Sequence, residues 1–185
     1  TRVKIPGHGW DKINHAYPLG GHQLTQKAVE ALLGIKMDHY VMINIAGFKK
    51  IVDAIGGVDI NVEKRMYYID PYDNNGKNGE GLVIDLRPGL QHMDGETAIQ
   101  YVRYRDEEGD IGRVERQQKF LKAVMAEVTS PSVITKIPAI IREVSSVIKS
   151  DMSTGEMLNL AKALNDASKK GLKTDMVPGK PAYIN

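Results

Sequence analysis

The segment from His39 to Glu63 constrains the fold more than any other part of the chain. HYVMINI at 39–45 is mostly β-branched or aromatic, AGFKKIVDAI follows at helical length, and Gly56-Gly57 stops it. Val58, Ile60 and Val62 then alternate with Asp59, Asn61 and Glu63, which gives a strand with one buried and one polar face. An inner strand, a helix over 46–55 and a half-buried strand with short joints predict an α/β fold: a mixed central sheet flanked by helices, in a single domain.

The rest of the chain fits that class. Val3 and Ile5 read as the tail of a strand turned by Pro6-Gly7, and a helix from about His22 to Leu33 ends at Gly34. The Gly20-Gly21 pair before it either admits a phosphate or forms a plain loop. Residues 64–81 are turn-rich, with Tyr67, Tyr68 and Tyr72 nearby, and loops of this length are often functional. Asp70, Asp73, Asn75 and Gly76 do not match a calcium loop, which needs a closing glutamate. Residues 82–86 are a short strand and RPGL at 87–90 is a turn. SPS at 130–132 opens a helical run to about Lys149, kinked or split at Pro138. Ser153 to Glu156 is a capping box before a last helix with Met157, Leu160, Ala161 and Leu164 on one face, and 172–177 is a final strand.

Chemistry concentrates in Tyr101 to Lys119. Four of the 8 arginines, Arg103, Arg105, Arg113 and Arg116, fall there, while the 17 lysines are scattered. Guanidinium forks grip phosphate or carboxylate through two bonds at once. Formal charge cancels, since Asp106, Glu107, Glu108, Asp110 and Glu115 balance the four arginines and Lys119. That balance suits arginines fixed around one compact anion better than a polyanion-binding tail. The competing explanation is a solvated ion network among neighbours, each pair worth about 0 to 1 kcal/mol. Asp94 and GETAIQYVR read as an N-cap and a short helix, with Arg103 and Arg105 at its exit; a strand is the alternative. After Gly109, Asp110 can cap a helix in which Ile111, Val114, Leu121, Val124, Met125 and Val128 recur at helical spacing. Arg113 and Gln117 are then i, i+4 neighbours near a helix start, a natural place for phosphate.

Composition excludes several classes. A net charge of +2 without a lysine-lined helix face argues against nucleic acid. No segment approaches the about 18 consecutive apolar residues of a membrane span. There is no cysteine, hence no disulfide and no thiolate nucleophile or metal ligand. His8, His15, His22, His39 and His92 form no HExxH pattern, and neither GxSxG nor a Walker loop occurs. Positioned arginines with a carboxylate favour phosphoryl transfer, where catalysis is mostly positioning and charge stabilisation.

KINHAY, LLGIKMDHYVMINIAGFKKIVDAIGGVDINV, LRPGLQHMDGETAIQYVRYR and GDIGRVERQQKFL together resemble the LytR-CpsA-Psr family, almost continuously from Lys12 to about Leu121. The resemblance implies that residues 1–185 are its catalytic domain, a phosphotransferase moving an anionic glycopolymer, wall teichoic acid or capsular polysaccharide, from polyprenyl pyrophosphate to peptidoglycan. It implies Mg2+, a membrane anchor and work at the extracellular face of the cell membrane in a Gram-positive-type bacterium. Arg103, Arg105, Arg113 and Gln117 would grip the pyrophosphate, with Arg103, Arg105 and Asp110 catalytic. The family's upstream Arg-Ser-Asp and Pro-Arg-Asp motifs have no counterpart here. The expectation is therefore an N-terminally truncated domain, ending early at Asn185, whose magnesium ligands lie upstream and include none of its own residues. The alternative is a non-catalytic polyprenyl-phosphate-binding regulator of cell-envelope functions.

Overall fold

The computed structural model describes residues 2–73, 81–106 and 109–169, the side chains of Asp110, Ile111, Ser168 and Lys169 excepted. The strand expected over 172–177 lies outside the described residues, which fall into two compact units: 2–41 with 150–152, and 42–149 with 153–169.

In the first unit β1 (Arg2–Ile5) and β2 (Gly9–Lys12) form an antiparallel hairpin. Val3 and Ile5 alternate with polar neighbours and are buried against Ala16 and Ala28. A 3-10 turn over Ile13–His15 leads into α1 (Ala16–Leu33), which starts earlier than the sequence predicts. Gly20 and Gly21 lie inside it and join two helical segments at a kink, Gly21 taking φ 64° and ψ −158°, a conformation that strains any side chain. The glycine pair is therefore a kink, neither a free loop nor a helix entry.

Next come β3 (Val41–Ile43), α2 (Ile45–Ala54) and β4 (Val58–Val62), the predicted strand, helix, strand order. The Asn44 side chain caps α2 by accepting the Gly47 N–H at 2.7 Å. Val58, Ile60 and Val62 are 1–2% exposed, and burying such side chains contributes about 1.5–3 kcal/mol each. β3 is not the inner strand expected, for Val41 and Ile43 are half exposed.

Two strands replace expected loops. β5 (Met66–Asp70) pairs antiparallel with β6 (Leu82–Leu86), Met66 opposite Leu86 and Tyr68 opposite Ile84. The expected turn at 87–90 shortens, because β7 (Gly89–Met93) already pairs with β4, Val58 opposite Met93. Asp94 then opens α3 (Gly95–Arg103), its Oδ1 accepting the Thr97 N–H at 2.8 Å, so the segment is a helix and the strand alternative falls. This hydrogen bond, foremost, holds the Asp94 carboxyl below its ordinary value. The Gly95 N–H reaches Asp53 Oδ1 at 2.7 Å, and a Cβ on Gly95 would overlap the Lys49 backbone, so α3 lies close on α2.

In α4 (Gly109–Val128) Val124 and Val128 pack against the core as the helical spacing predicts, but Phe120 is buried in place of Leu121, which is 53% exposed. The following run divides into α5 (Pro131–Ile134) and α6 (Ile137–Val144), then β8 (Ile148–Ser150). The break precedes Pro138, which sits in the first turn of α6, where its missing N–H is no loss. A capping box opens α7 (Thr154–Lys169): the Ser153 N–H reaches Glu156 Oε2 at 2.7 Å and the Glu156 N–H reaches Ser153 Oγ at 3.3 Å.

The α/β class is as predicted. Among the described residues the strands pair two by two, β1 with β2, β3 with β8, β4 with β7 and β5 with β6. In the second unit β4 to β7 and α2 to α4 enclose one core, including Val52, Ile60, Met66, Ile84, Met93, Tyr101 and Phe120.

Candidate functional site

The chain between α3 and α4 is held by α4 itself. α3 ends with unsatisfied carbonyls, as every helix does. Gln117 Nε2 donates to the Val102 carbonyl at 3.2 Å, and Arg116 Nη2 donates to the Tyr104 carbonyl at 2.9 Å. The Arg116 guanidinium lies over the Tyr104 ring, 5.2 Å from its centroid, and Arg116 is only 5% exposed. Gly109 starts α4 with φ 62°, and its N–H reaches the Asp106 carbonyl at 2.9 Å. Arg103 and Arg105 therefore leave α3 on a segment that α4 fastens at two points.

Arg103, Arg105, Arg113 and Gln117 line one cavity of about 360 Å³ with Tyr68, Asp70, Asp73, Leu82 and Val102. Arg113 and Gln117 reach it from one face of α4, as their i, i+4 spacing predicts. Arg103 pairs with Asp73, and these side chains are 25% and 11% exposed. Its partner is thus a distant, largely buried carboxylate, unlike the neighbour-to-neighbour network weighed from sequence. Arg103 Nη1 is buried without a hydrogen-bond partner among the described residues. A buried donor is unfavourable until an acceptor arrives. Among the described lining residues three guanidinium groups stand against two carboxylates.

Arg116, the fourth arginine of the sequence cluster, belongs elsewhere. It lines a second cavity of about 420 Å³ with Glu63, Lys64, Gly112, Glu115 and Lys119, on the other face of α4. Lys64 Nζ meets Asp106 Oδ2 at 2.6 Å, and Arg116 Nη1 lies 3.5 Å from the same oxygen. The fully buried Tyr101 donates its hydroxyl to Glu63 Oε1 at 2.9 Å, and Lys119 pairs with the same carboxylate. Burial and the Glu63 carboxylate push the Tyr101 phenol far above its ordinary value. Burial opposes the Glu63 charge, yet hydrogen bonds from Lys119 and Tyr101 outweigh it and hold that carboxyl below its ordinary value. Glu63, just past β4, thereby ties α3 to α4.

Of the residues singled out from sequence, Asp110 lies in the first turn of α4, but its side chain is outside the described residues. Asp73 as the partner of Arg103, and Tyr68 and Asp70 as neighbours in the cavity lining, were missed. The tyrosine pair in MYYID, a β-favouring run, was the available signal for β5; nothing local pointed to Arg103 meeting Asp73.

An arginine-lined cavity at the junction of two helices in an α/β fold has the chemistry suited to an anion. The model of the LytR_cpsA_psr family matches residues 1–185, and the protein belongs to that family. It is 37% identical over 182 residues to the polyisoprenyl-teichoic acid–peptidoglycan teichoic acid transferase TagU of Enterococcus faecalis, covering 97% of this chain and 55% of the relative. It is 39% identical over 188 residues to the protein of the same name from Halalkalibacterium halodurans, covering 100% of this chain and 58% of the relative. The chain thus spans little more than half the length of these two relatives. Among solved structures, TagV of B. subtilis superposes with a TM-score of 0.82 at 29% identity, covering 100% of this chain and 69% of that one. TagT bound to LI-WTA superposes with a TM-score of 0.69 at 29% identity, covering 89% and 59%.

Proposed function

We propose that this chain carries the pyrophosphate grip of a phosphotransferase that moves an anionic glycopolymer, of the wall teichoic acid or capsular type, from a polyprenyl pyrophosphate carrier onto peptidoglycan. The observation that carries this reading is the convergence of Arg103, Arg105, Arg113 and Gln117 on one cavity, with Arg103 Nη1 buried and awaiting an acceptor among the described residues. The TagU relatives and the TagT complex support the glycopolymer as substrate.

In this reading a sugar hydroxyl of peptidoglycan attacks the sugar-linked phosphorus. A new P–O bond forms to the acceptor, the P–O bond to the carrier breaks, and polyprenyl phosphate leaves. Arg103, Arg105 and Arg113 neutralise the charge that shifts onto the leaving phosphate, and Gln117 orients it. Asp110 takes the hydroxyl proton or aims Arg113. Mg2+ belongs to the reading through the family resemblance. Among the described residues no three His, Asp or Glu side chains converge on a metal position, and Asp73 already answers Arg103. No helix among the described residues is long and apolar enough to cross a membrane. Work at the extracellular face, on a membrane-held carrier, is part of the proposal.

The test is transfer of labelled glycopolymer onto peptidoglycan, with Arg105→Ala as the control. Transfer that depends on Arg105 supports the reading. Binding of the carrier with the acceptor left unmodified would make the protein a regulator that senses the lipid.

A further inference from the structure

The inward face of β5 changes character along its length. Met66, at its start, is fully buried. Tyr68 and Asp70, two and four residues on, occupy the same face by strand alternation. Their partners across the ladder, Ile84 and Leu82, are buried and apolar. Strand logic alone would continue with apolar side chains, yet here stand a tyrosine that is 45% exposed and a carboxylate, and both line the arginine cavity.

Asp73 has an evident task, since it meets Arg103. Asp70 does not share it. Beside a phosphate its charge is repulsive, so a cavity built for pyrophosphate alone gains nothing from it. An ionised carboxylate only accepts hydrogen bonds, and Asp70 Oδ1 takes one from the Tyr72 N–H at 3.0 Å, which fixes the carboxylate at the end of the strand. Besides guanidinium groups, neutral hydroxyls are donors suited to it. The Tyr68 ring offers an apolar face with a polar tip, the match for a pyranose, which has a C–H face and a hydroxyl edge.

We infer that Tyr68 and Asp70 form a carbohydrate subsite beside the guanidinium groups, reading the sugar attached to the pyrophosphate: Tyr68 covers its C–H face and Asp70 accepts from its hydroxyls. This rests on the reading of the cavity as a pyrophosphate site. The subsite makes the cavity selective for carriers that bear a sugar over bare polyprenyl pyrophosphate.

The experiment is calorimetric titration of the chain with farnesyl pyrophosphate and with farnesyl pyrophosphate bearing N-acetylglucosamine on its terminal phosphate. The sugar-bearing probe binds about tenfold more tightly, and Tyr68→Ala or Asp70→Asn each removes most of that advantage without weakening affinity for the bare probe by more than about twofold. Asp70→Asn keeps an oxygen for the Tyr72 N–H, so the strand end survives. Tyr67→Ala, on the opposite face of β5, changes neither titration. An undiminished sugar advantage in Tyr68→Ala and Asp70→Asn overturns the subsite and leaves the anion grip standing. Equal loss for both probes overturns it too, assigning these residues to the phosphates or to the fold. Failure of the unsubstituted chain to bind either probe overturns the pyrophosphate reading itself.

Discussion

Replacing Arg103 by Lys keeps the charge and removes the fork, which makes it the sharpest probe of the cavity. The Arg103 side chain is 25% exposed, with Nη2 directed at Asp73 and Nη1 buried without a hydrogen-bond partner among the described residues. A lysine ammonium can still answer Asp73, so folding is little affected, with Tm within about 3 °C of the unsubstituted chain. It cannot hold Asp73 and also present a second donor in the plane of a phosphate. A hydrogen bond to a charged group contributes about 1.5–3 kcal/mol. Loss of one such bond with the charge retained weakens binding by about 2 kcal/mol, roughly 30-fold in Kd. The assay is calorimetric titration with farnesyl pyrophosphate at fixed ionic strength, because screening alters exposed charge contributions. A Kd for Arg103→Lys within about twofold of the original, at unchanged Tm, would refute the fork argument and return Arg103 to a structural ion pair with Asp73.

Three further outcomes follow from particular contacts. Asp110→Asn retains an oxygen for a helix start but not the basicity of a carboxylate, so thermal stability stays near native while glycopolymer transfer falls by at least about 100-fold; lost stability with normal turnover per folded molecule makes Asp110 structural. Gly95→Ala places a Cβ against the Lys49 backbone between α2 and α3 and destabilises by about 1–3 kcal/mol in urea unfolding, whereas an unchanged midpoint would mean that the helices separate freely. The Asp59 carboxylate, 2.7 Å from His92 Nδ1, holds the His92 value above its ordinary 6.5; this pair's contribution to stability is complete below pH 6.5 and fades as pH rises through the raised folded value. NMR titration of His92 shows this, with the midpoint returning toward 6.5 in Asp59→Asn, and no movement would contradict the pairing.

What was legible in the sequence was what neighbouring residues decide. The alternation of Val58, Ile60 and Val62, the Asp94 cap and the Ser153–Glu156 capping box each depend on spacings of four residues or fewer, and all three stand in the structure. Arg113 and Gln117 sharing a cavity followed from helical spacing in the same way. The misses are non-local. β7 carries the sequence GLQHM, which has little β-propensity of its own, and it is a strand because β4 offers it a ladder. β5 was hidden by the turn signals after it. Phe120 and Leu121 are adjacent apolar residues that periodicity alone cannot rank, and packing against Phe48, at 5.3 Å between ring centroids, selects Phe120. Arg116 looked like its fellow arginines in sequence, but it turns to the opposite side of α4, where the Tyr104 carbonyl and Asp106 receive it. Asp73 lies 30 residues from Arg103, beyond any local pattern.

The two cavities flanking α4 give the account its most direct test: a crystal structure of the chain with farnesyl pyrophosphate bound. The predicted result places the two phosphates within hydrogen-bonding distance of Arg103, Arg105 and Arg113, with Arg103 Nη1 donating to a phosphate oxygen. Phosphates seated instead against Lys64, Arg116 and Lys119, with Arg103 still held only by Asp73, would contradict it.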